Sequence, residues 1–128
     1  MACEVLDVSY NRLKQFPDDW IQLYRLVELN VSGNYLQRLP RDVQKLRNLA
    51  RLDASDNMLD QLPDKLARLP ALRHLNIADN QIMEWPTNFV KLQARVEVTE
   101  SHTRTCRPTC MSTDWKASAL NVRIRIRM

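Results

Sequence analysis

The chain has 128 residues, which is enough for one domain, and 45% of them are hydrophobic, so a core can form. Its single glycine excludes the glycine-rich loops that bind phosphate. The net charge of +4 comes from the C-terminal segment, because residues 1–94 carry 12 basic and 12 acidic side chains and residues 95–128 carry 7 and 3.

The N-terminal residues do not predict export. The first twenty lack a basic start followed by an uninterrupted apolar run, and no later stretch has the roughly 18 apolar residues of a membrane-spanning helix. We therefore predict a soluble, cytoplasmic protein. In that compartment Cys3, Cys106 and Cys110 are expected to stay reduced.

A period of 23 residues runs through most of the chain. Four copies begin at Cys3, Leu26, Leu49 and Leu72, with no insertion between them. Counted from the start of each copy, apolar residues occupy positions 4, 6 and 11, and proline occupies position 15. Position 9 is always asparagine, in the order Asn11, Asn34, Asn57 and Asn80. Four asparagines at one spacing predict a ladder in which each amide satisfies backbone groups of its own and a neighbouring coil.

Each copy predicts one coil of a solenoid. Apolar residues at positions 4 and 6, separated by a polar residue, are typical of a strand with one buried face. The proline at position 15 suits the start of a short helix, and apolar residues at positions 18 and 21 place one stripe of that helix inward. The predicted fold is α/β: about four coils, with parallel strands on the concave face and short helices or 3₁₀ segments on the convex face.

These residues carry a family resemblance. Residues 26–48, LVELNVSGNYLQRLPRDVQKLRN, follow the pattern LxxLxLxxNxLxxLPxxLxxLxx. The pattern resembles the repeats of intracellular leucine-rich-repeat proteins of the Ras-group and Scribble–Erbin type, and the resemblance covers residues 3–94. It implies a curved solenoid whose parallel strands line a concave surface that binds proteins, commonly as a signalling scaffold.

The polar positions of the strands are predicted to form the binding surface. Positions 3, 5 and 8 give a mildly acidic strip that Arg51 and His74 interrupt, and a basic or polar protein segment would complement it. Solvated strands of this repeat carry the same residue types, so a purely structural reading stays open for any one residue. One edge also carries Tyr35 and Met58. The predicted partner-binding residues are Asp7, Tyr10, Glu28, Asn30, Arg51, Asp53, Asp56, His74, Asn76 and Asp79.

The repeat weakens towards the C-terminus. We predict a repeat domain over residues 1–98 with a degenerate last strand at 95–100, and a basic, irregular tail over 99–128. The tail ends in NVRIRIRM, whose alternation is strand-like. A solenoid normally has a polar cap at each end, and no capping sequence is recognisable at either end of the repeats. The tail is then either a makeshift cap or, as we favour, part of a truncated or spliced form of a longer repeat protein.

Catalysis and metal binding find little support in the sequence. His102, Cys106 and Cys110 have a metal-like spacing, but structural zinc takes four ligands, so neither a metal nor a cofactor is predicted. The other histidine, His74, has no recognisable nucleophile motif near it. We predict a non-catalytic module that binds a protein partner and no small-molecule substrate. The alternative is association of the arginine-rich tail with anionic membrane or nucleic acid.

Overall fold

A computed structural model describes residues 3–93 and 96–99. Five parallel strands form one sheet in chain order, and each strand pairs with the segment 23 residues later, so that Leu29 lies opposite Leu52 and Leu52 opposite Leu75. The 23-residue period is therefore one turn of a solenoid. The strands are β1 (Val5–Asp7), β2 (Glu28–Asn30), β3 (Arg51–Asp53), β4 (His74–Asn76) and β5 (Glu97–Thr99).

Short helical segments connect the strands on the opposite side. The position-15 proline starts each of them, because its carbonyl accepts a hydrogen bond from the backbone N–H three residues later, for example at 3.1 Å from Trp20 to Pro17 and at 3.0 Å from Phe89 to Pro86. Both predicted kinds of segment occur. They are the 3₁₀ segments Asp18–Gln22, Val43–Lys45 and Asp64–Arg68 and the α-helix α1 (Phe89–Gln93).

The leucine columns form one continuous core between the sheet and the helical segments. Position 4 is buried at Leu29, Leu52 and Leu75, and position 6 is fully buried at Val31 and Ile77. In the first coil, by contrast, the corresponding Leu6 and Val8 are only half-buried. Removal of these columns from water is the main force that holds the coils together, since a coil cannot bury its apolar face alone.

The asparagine column lies inside the turn that follows each strand. Asn57 is 7% exposed, and its Nδ2 donates to the carbonyls of Val31, Ala54 and Ser55 at 3.0, 3.1 and 2.9 Å. Its Oδ1 accepts a hydrogen bond of 3.1 Å from the N–H of Leu36. Asn34 and Asn80 repeat the arrangement one coil away on either side. Each amide therefore ties its own turn to the preceding coil.

Asn11 occupies the same position in the first coil but is exposed. Its Nδ2 donates to the carbonyls of Val8 and Ser9, at 2.8 and 3.1 Å, both within its own turn. The asparagine column thus contains an exposed member with bonds to its own coil and three buried members with bonds that cross between coils.

Asp42 links the helical segments of two neighbouring coils. Its Oδ1 accepts from Lys65 Nζ at 3.2 Å, and its Oδ2 lies 3.4 Å from Lys45 Nζ. The hydrogen bond from Lys65, followed by the charge and hydrogen bond of Lys45, lowers the pKa of Asp42 below its ordinary value of 3.8. A lowered pKa means that the folded state favours the charged carboxylate, so this contribution to stability is present above pH 3.8 and is lost as pH falls through the lowered value.

We expect Asp42→Asn to flatten the loss of stability at acid pH. Urea unfolding between about pH 5 and about pH 3 should show a shallower decline for this variant than for the native chain. The side chains of Asp42 and Lys65 are half-buried and still reach solvent, so the difference should shrink in high salt. The matched control is Asp19→Asn, at the corresponding position of the preceding coil. If the Asp42 and Asp19 variants follow the same pH curve, the pair with Lys65 contributes nothing to acid sensitivity.

Within the described part of the chain, the longest helical segments have five residues, and none has the length and apolar character needed to cross a bilayer.

Candidate functional site

The strand residues on either side of the buried position 4 face the concave side of the sheet, because successive side chains of a strand point in opposite directions. In-register pairing aligns them in two rows across the coils. Within a row, residues on neighbouring strands are about 4.8 Å apart. The position-3 row is Val5, Glu28, Arg51, His74 and Glu97, and the position-5 row is Asp7, Asn30, Asp53, Asn76 and Thr99. The concave rows therefore contain seven of the ten predicted partner-binding residues.

The position-3 row contains two close pairs, each with an acidic side chain on one strand and Arg51 or His74 on the neighbouring strand. Arg51 Nε lies 3.9 Å from Glu28 Oε1, and His74 Nδ1 lies 3.1 Å from Glu97 Oε2. Glu97, which the sequence did not assign to the binding surface, is 8% exposed and closes this row beside β4. Arg51 and Glu28 are both well exposed, so their interaction is weak and either side chain can turn towards a partner.

Side chains of the position-5 row stabilise the turn by which the chain leaves the sheet. Oδ1 of Asn30 accepts two hydrogen bonds from Ser32, one of 3.0 Å from its backbone N–H and one of 2.6 Å from its hydroxyl. Oδ1 of Asp53 accepts the same two bonds from Ser55, with the same lengths. One side-chain oxygen is therefore used by the local turn, and the second terminal atom is left for a neighbouring coil or a partner. The signal for this in the sequence is serine two residues after the Asp or Asn.

Asp7 shows the same geometry and keeps its charge. The hydrogen bonds from the side chain and the N–H of Ser9 and from the Asn30 amide lower its pKa below the usual value. The Ser9 N–H lies 2.9 Å from Oδ1, and Asn30 Nδ2 lies 3.5 Å from Oδ2. Alternation of Asp and Asn along this row thus places an amide donor beside a carboxylate on the neighbouring coil.

The remaining predicted residues, Tyr10, Asp56 and Asp79, follow the strands at position 8, at one edge of the concave face. Their backbone is left-handed, with φ of 54°, 52° and 55°, and Gly33 in the same column has φ of 67°. All three side chains are exposed. The left-handed turn was not predicted, although Gly and Asp at position 8 are residue types that tolerate it.

The same edge carries four of the seven large apolar side chains that are exposed among the described residues. Tyr10 is 78% exposed, Tyr35 51%, Met58 41% and Met83 53%, and all four lie between positions 8 and 12 of successive coils. Tyr35 and Met58 occupy position 10 of adjacent coils, where each N–H donates to the preceding coil at 2.8 and 2.9 Å. We call these four residues the tyrosine–methionine edge. Exposed aromatic and methionine side chains next to a polar face are typical of protein-binding surfaces.

The described residues contain no cluster of three or more His, Cys, Asp or Glu side chains that could hold a metal ion. The metal-like set His102, Cys106 and Cys110 lies outside the described residues, as does the strand-like end of the tail. Cys3, the cysteine within the described part, is a half-buried free thiol.

Comparison with known proteins agrees with the repeat architecture. Residues 3–59 and residues 25–82 match the family model of the leucine rich repeat. The structure is similar to that of a leucine-rich-repeat protein from Leptospira interrogans, with a TM-score of 0.73 and 29% sequence identity. The match covers 87% of this chain and 28% of the Leptospira chain, so the present chain spans little more than a quarter of that protein's length. A search of curated proteins gave no match.

Proposed function

Because the chain belongs to the leucine-rich-repeat family, we propose that it is a non-catalytic module that binds a protein partner on its concave face. Domains of this family generally mediate interactions between proteins, and proteins of the family are typically interaction modules without catalytic activity. The observation that carries the proposal for this chain is the pair of in-register polar rows on the strands, which present several carboxylates on one surface.

The charge of this surface indicates the kind of partner. Asp7, Glu28, Asp53 and, at the edge, Asp56 and Asp79 outnumber the cationic Arg51. We infer that the partner presents a basic or polar segment, because complementary charge steers association and selects against acidic competitors. We further propose that the module acts as a signalling scaffold in the cytoplasm, as the resemblance to Ras-group and Scribble–Erbin repeats implies.

Charge reversal at Asp53 and Asp56 is the direct test. In affinity capture from cell extract, Asp53→Lys/Asp56→Lys should reduce partner recovery by about tenfold or more, since like charges facing each other across an interface cost several kcal/mol. Asp53 also serves its own turn, so a neutral variant is needed. Asp53→Asn/Asp56→Asn keeps that turn, because Asn30 and Asn76 accept the same backbone bond, and asparagine tolerates the left-handed backbone at position 56. The neutral variant should give an intermediate loss.

Asp18→Lys/Asp19→Lys makes the same charge change on the helical side and should leave recovery unchanged. Undiminished capture by the Asp53/Asp56 reversal would remove the concave face as the binding surface. A chain that lacks residues 119–128 addresses the alternative. If that deletion abolishes binding while the Asp53/Asp56 reversal leaves partner recovery unchanged, association of the arginine-rich tail with anionic membrane or nucleic acid is favoured.

A further inference from the structure

The single glycine of the chain, Gly33, stands at position 8 of the second coil, where the other coils have tyrosine or aspartate. Gly33 has φ of 67°, but Tyr10, Asp56 and Asp79 adopt φ between 52° and 55° at the same position of the other coils. A left-handed backbone by itself therefore does not require glycine in this column. Some other property of Gly33 must distinguish the second coil.

That property is the space taken by Tyr10. A Cβ atom on Gly33 would lie 2.5 Å from Cδ1 and 2.8 Å from Cε1 of the Tyr10 ring, which is closer than two non-bonded carbon atoms normally approach. The ring of Tyr10 thus packs directly against the backbone of Gly33. Even so, Tyr10 remains 78% exposed. The absence of a side chain on Gly33 leaves room for the Tyr10 ring, and most of the surface of Tyr10 stays accessible.

The next coil after Gly33 carries a carboxylate, Asp56, at the same position. The strand ladder continues through position 8, with hydrogen bonds from Tyr10 N–H to Ser32 O at 2.8 Å, from Gly33 N–H to Ser55 O at 3.1 Å and from Asp56 N–H to Ala78 O at 2.9 Å. Coils therefore keep the strand spacing of about 4.8 Å at this edge. A ring packed on Gly33 is then about one coil from Asp56, which is exposed.

An accessible aromatic ring next to a carboxylate has the chemistry of a guanidinium site. The ring attracts a cation through its quadrupole, and a planar guanidinium can stack on the ring while it donates hydrogen bonds to the carboxylate. A compact ammonium group cannot do both equally well. We propose that Tyr10 and Asp56 form a binding site for an arginine side chain of the protein partner. This proposal rests on the proposed function, because it names the residue that anchors the partner at the edge of the same concave face.

The test uses the full chain and three fluorescein-labelled peptides: one of alternating arginine and glycine, and two in which lysine or glutamine replaces arginine. Fluorescence anisotropy at physiological salt should show affinity in the order arginine, lysine, glutamine. Tyr10→Ala should weaken the arginine peptide about three- to fivefold, the range expected of one exposed cation–π contact, and Tyr10→Phe should keep native affinity because the ring remains. The matched control is Tyr24→Ala, which removes a tyrosine that is 64% exposed at the opposite edge and should change nothing.

Gly33→Ala adds an independent arm, because the new methyl group displaces the ring without removing it. We expect the arginine peptide to weaken as it does with Tyr10→Ala. Equal affinity for the arginine and glutamine peptides, or native affinity in Tyr10→Ala, overturns the arginine site. If Tyr10→Ala binds the arginine peptide as the native chain does while Asp53→Lys/Asp56→Lys still loses its captured partner, the arginine site is wrong and the concave-face proposal stands. If all variants capture the partner equally, both are wrong.

Discussion

Replacement of Asn57 by alanine is expected to lower the free energy of unfolding by about 3 kcal/mol, whereas Asn11→Ala should cost less than about 1 kcal/mol. Both residues stand at position 9 of their coils, so the substitution and the local turn are the same. The difference lies in burial and partners, since Asn57 bonds across two coils inside the protein and Asn11 bonds within its own exposed turn.

The cost at position 57 is concentrated on one backbone group. The three carbonyls that accept from Asn57 keep a second donor after the substitution, namely Asn34 at Val31, Asn80 at Ala54 and the Gly33 N–H at Ser55. The N–H of the fully buried Leu36 instead loses the bond that Asn57 Oδ1 provides. A buried donor without a partner costs about 1 to 3 kcal/mol, and the lost donor bonds and the small cavity add to this.

Urea unfolding followed by circular dichroism measures both costs. The two variants should share the native m-value, so that the shift in midpoint reports stability alone. Asn80→Ala, at a residue that is also buried and is bonded in the same way, should repeat the loss expected at Asn57. Equal midpoints for Asn57→Ala and Asn11→Ala would mean that the bonds between coils add no stability.

The repeat columns made the fold predictable. Because the copies have equal length, alignment of the sequence with itself fixes which residues lie opposite each other, and Leu29 pairs with Leu52 as the 23-residue period requires. The alternation of apolar and polar residues then decides which face is buried. Both properties belong to the period of the chain, so they can be read without coordinates.

The atomic roles at the candidate site were not predictable in the same way. Asp53 was predicted as a concave residue, but the capture of its Oδ1 by the N–H and hydroxyl of Ser55 depends on side-chain rotamers, which periodicity does not define. The left-handed turn at Asp56 is set by the path that the chain takes out of the sheet. The contact between Tyr10 and Gly33 joins two coils at the same position and appears only once the ring is placed.

These roles change how the concave face is understood. Asp7 and Asp53 stabilise their local turns and are also candidates for partner contact, so we expect a substitution such as Asp53→Lys to alter both stability and partner binding. Variants that separate the two effects are needed. Asparagine at position 53 keeps the turn and removes the charge, while substitutions on the helical side can change stability and leave the polar rows intact.

Phe89→Ala is such a substitution on the helical side, and we expect it to cost about 3 to 5 kcal/mol. Phe89 is fully buried at the start of α1 and is the largest fully buried side chain in the described core. Its ring centroid lies 4.5 Å from that of Trp85, a contact that contributes about 1 kcal/mol beyond burial. Alanine leaves a cavity that neighbouring leucines can fill only in part. The control in the same helix is Val90→Ala, which removes a side chain that is 52% exposed and should change stability by less than about 0.5 kcal/mol.

The loss at Phe89 should leave partner binding per folded molecule unchanged, because Phe89 lies in the helical segment of its coil, on the side away from Asp53 and Asp56. Urea unfolding gives the folded fraction of the Phe89→Ala variant, and partner capture divided by that fraction should equal the native value. In the Asp53→Lys/Asp56→Lys variant, by contrast, most of the chain should be folded, and partner capture divided by the folded fraction should fall well below the native value. A Phe89→Ala variant that is fully folded yet unable to bind would mean that the partner contacts the helical side. The proposal that the concave rows are the binding surface would then be wrong.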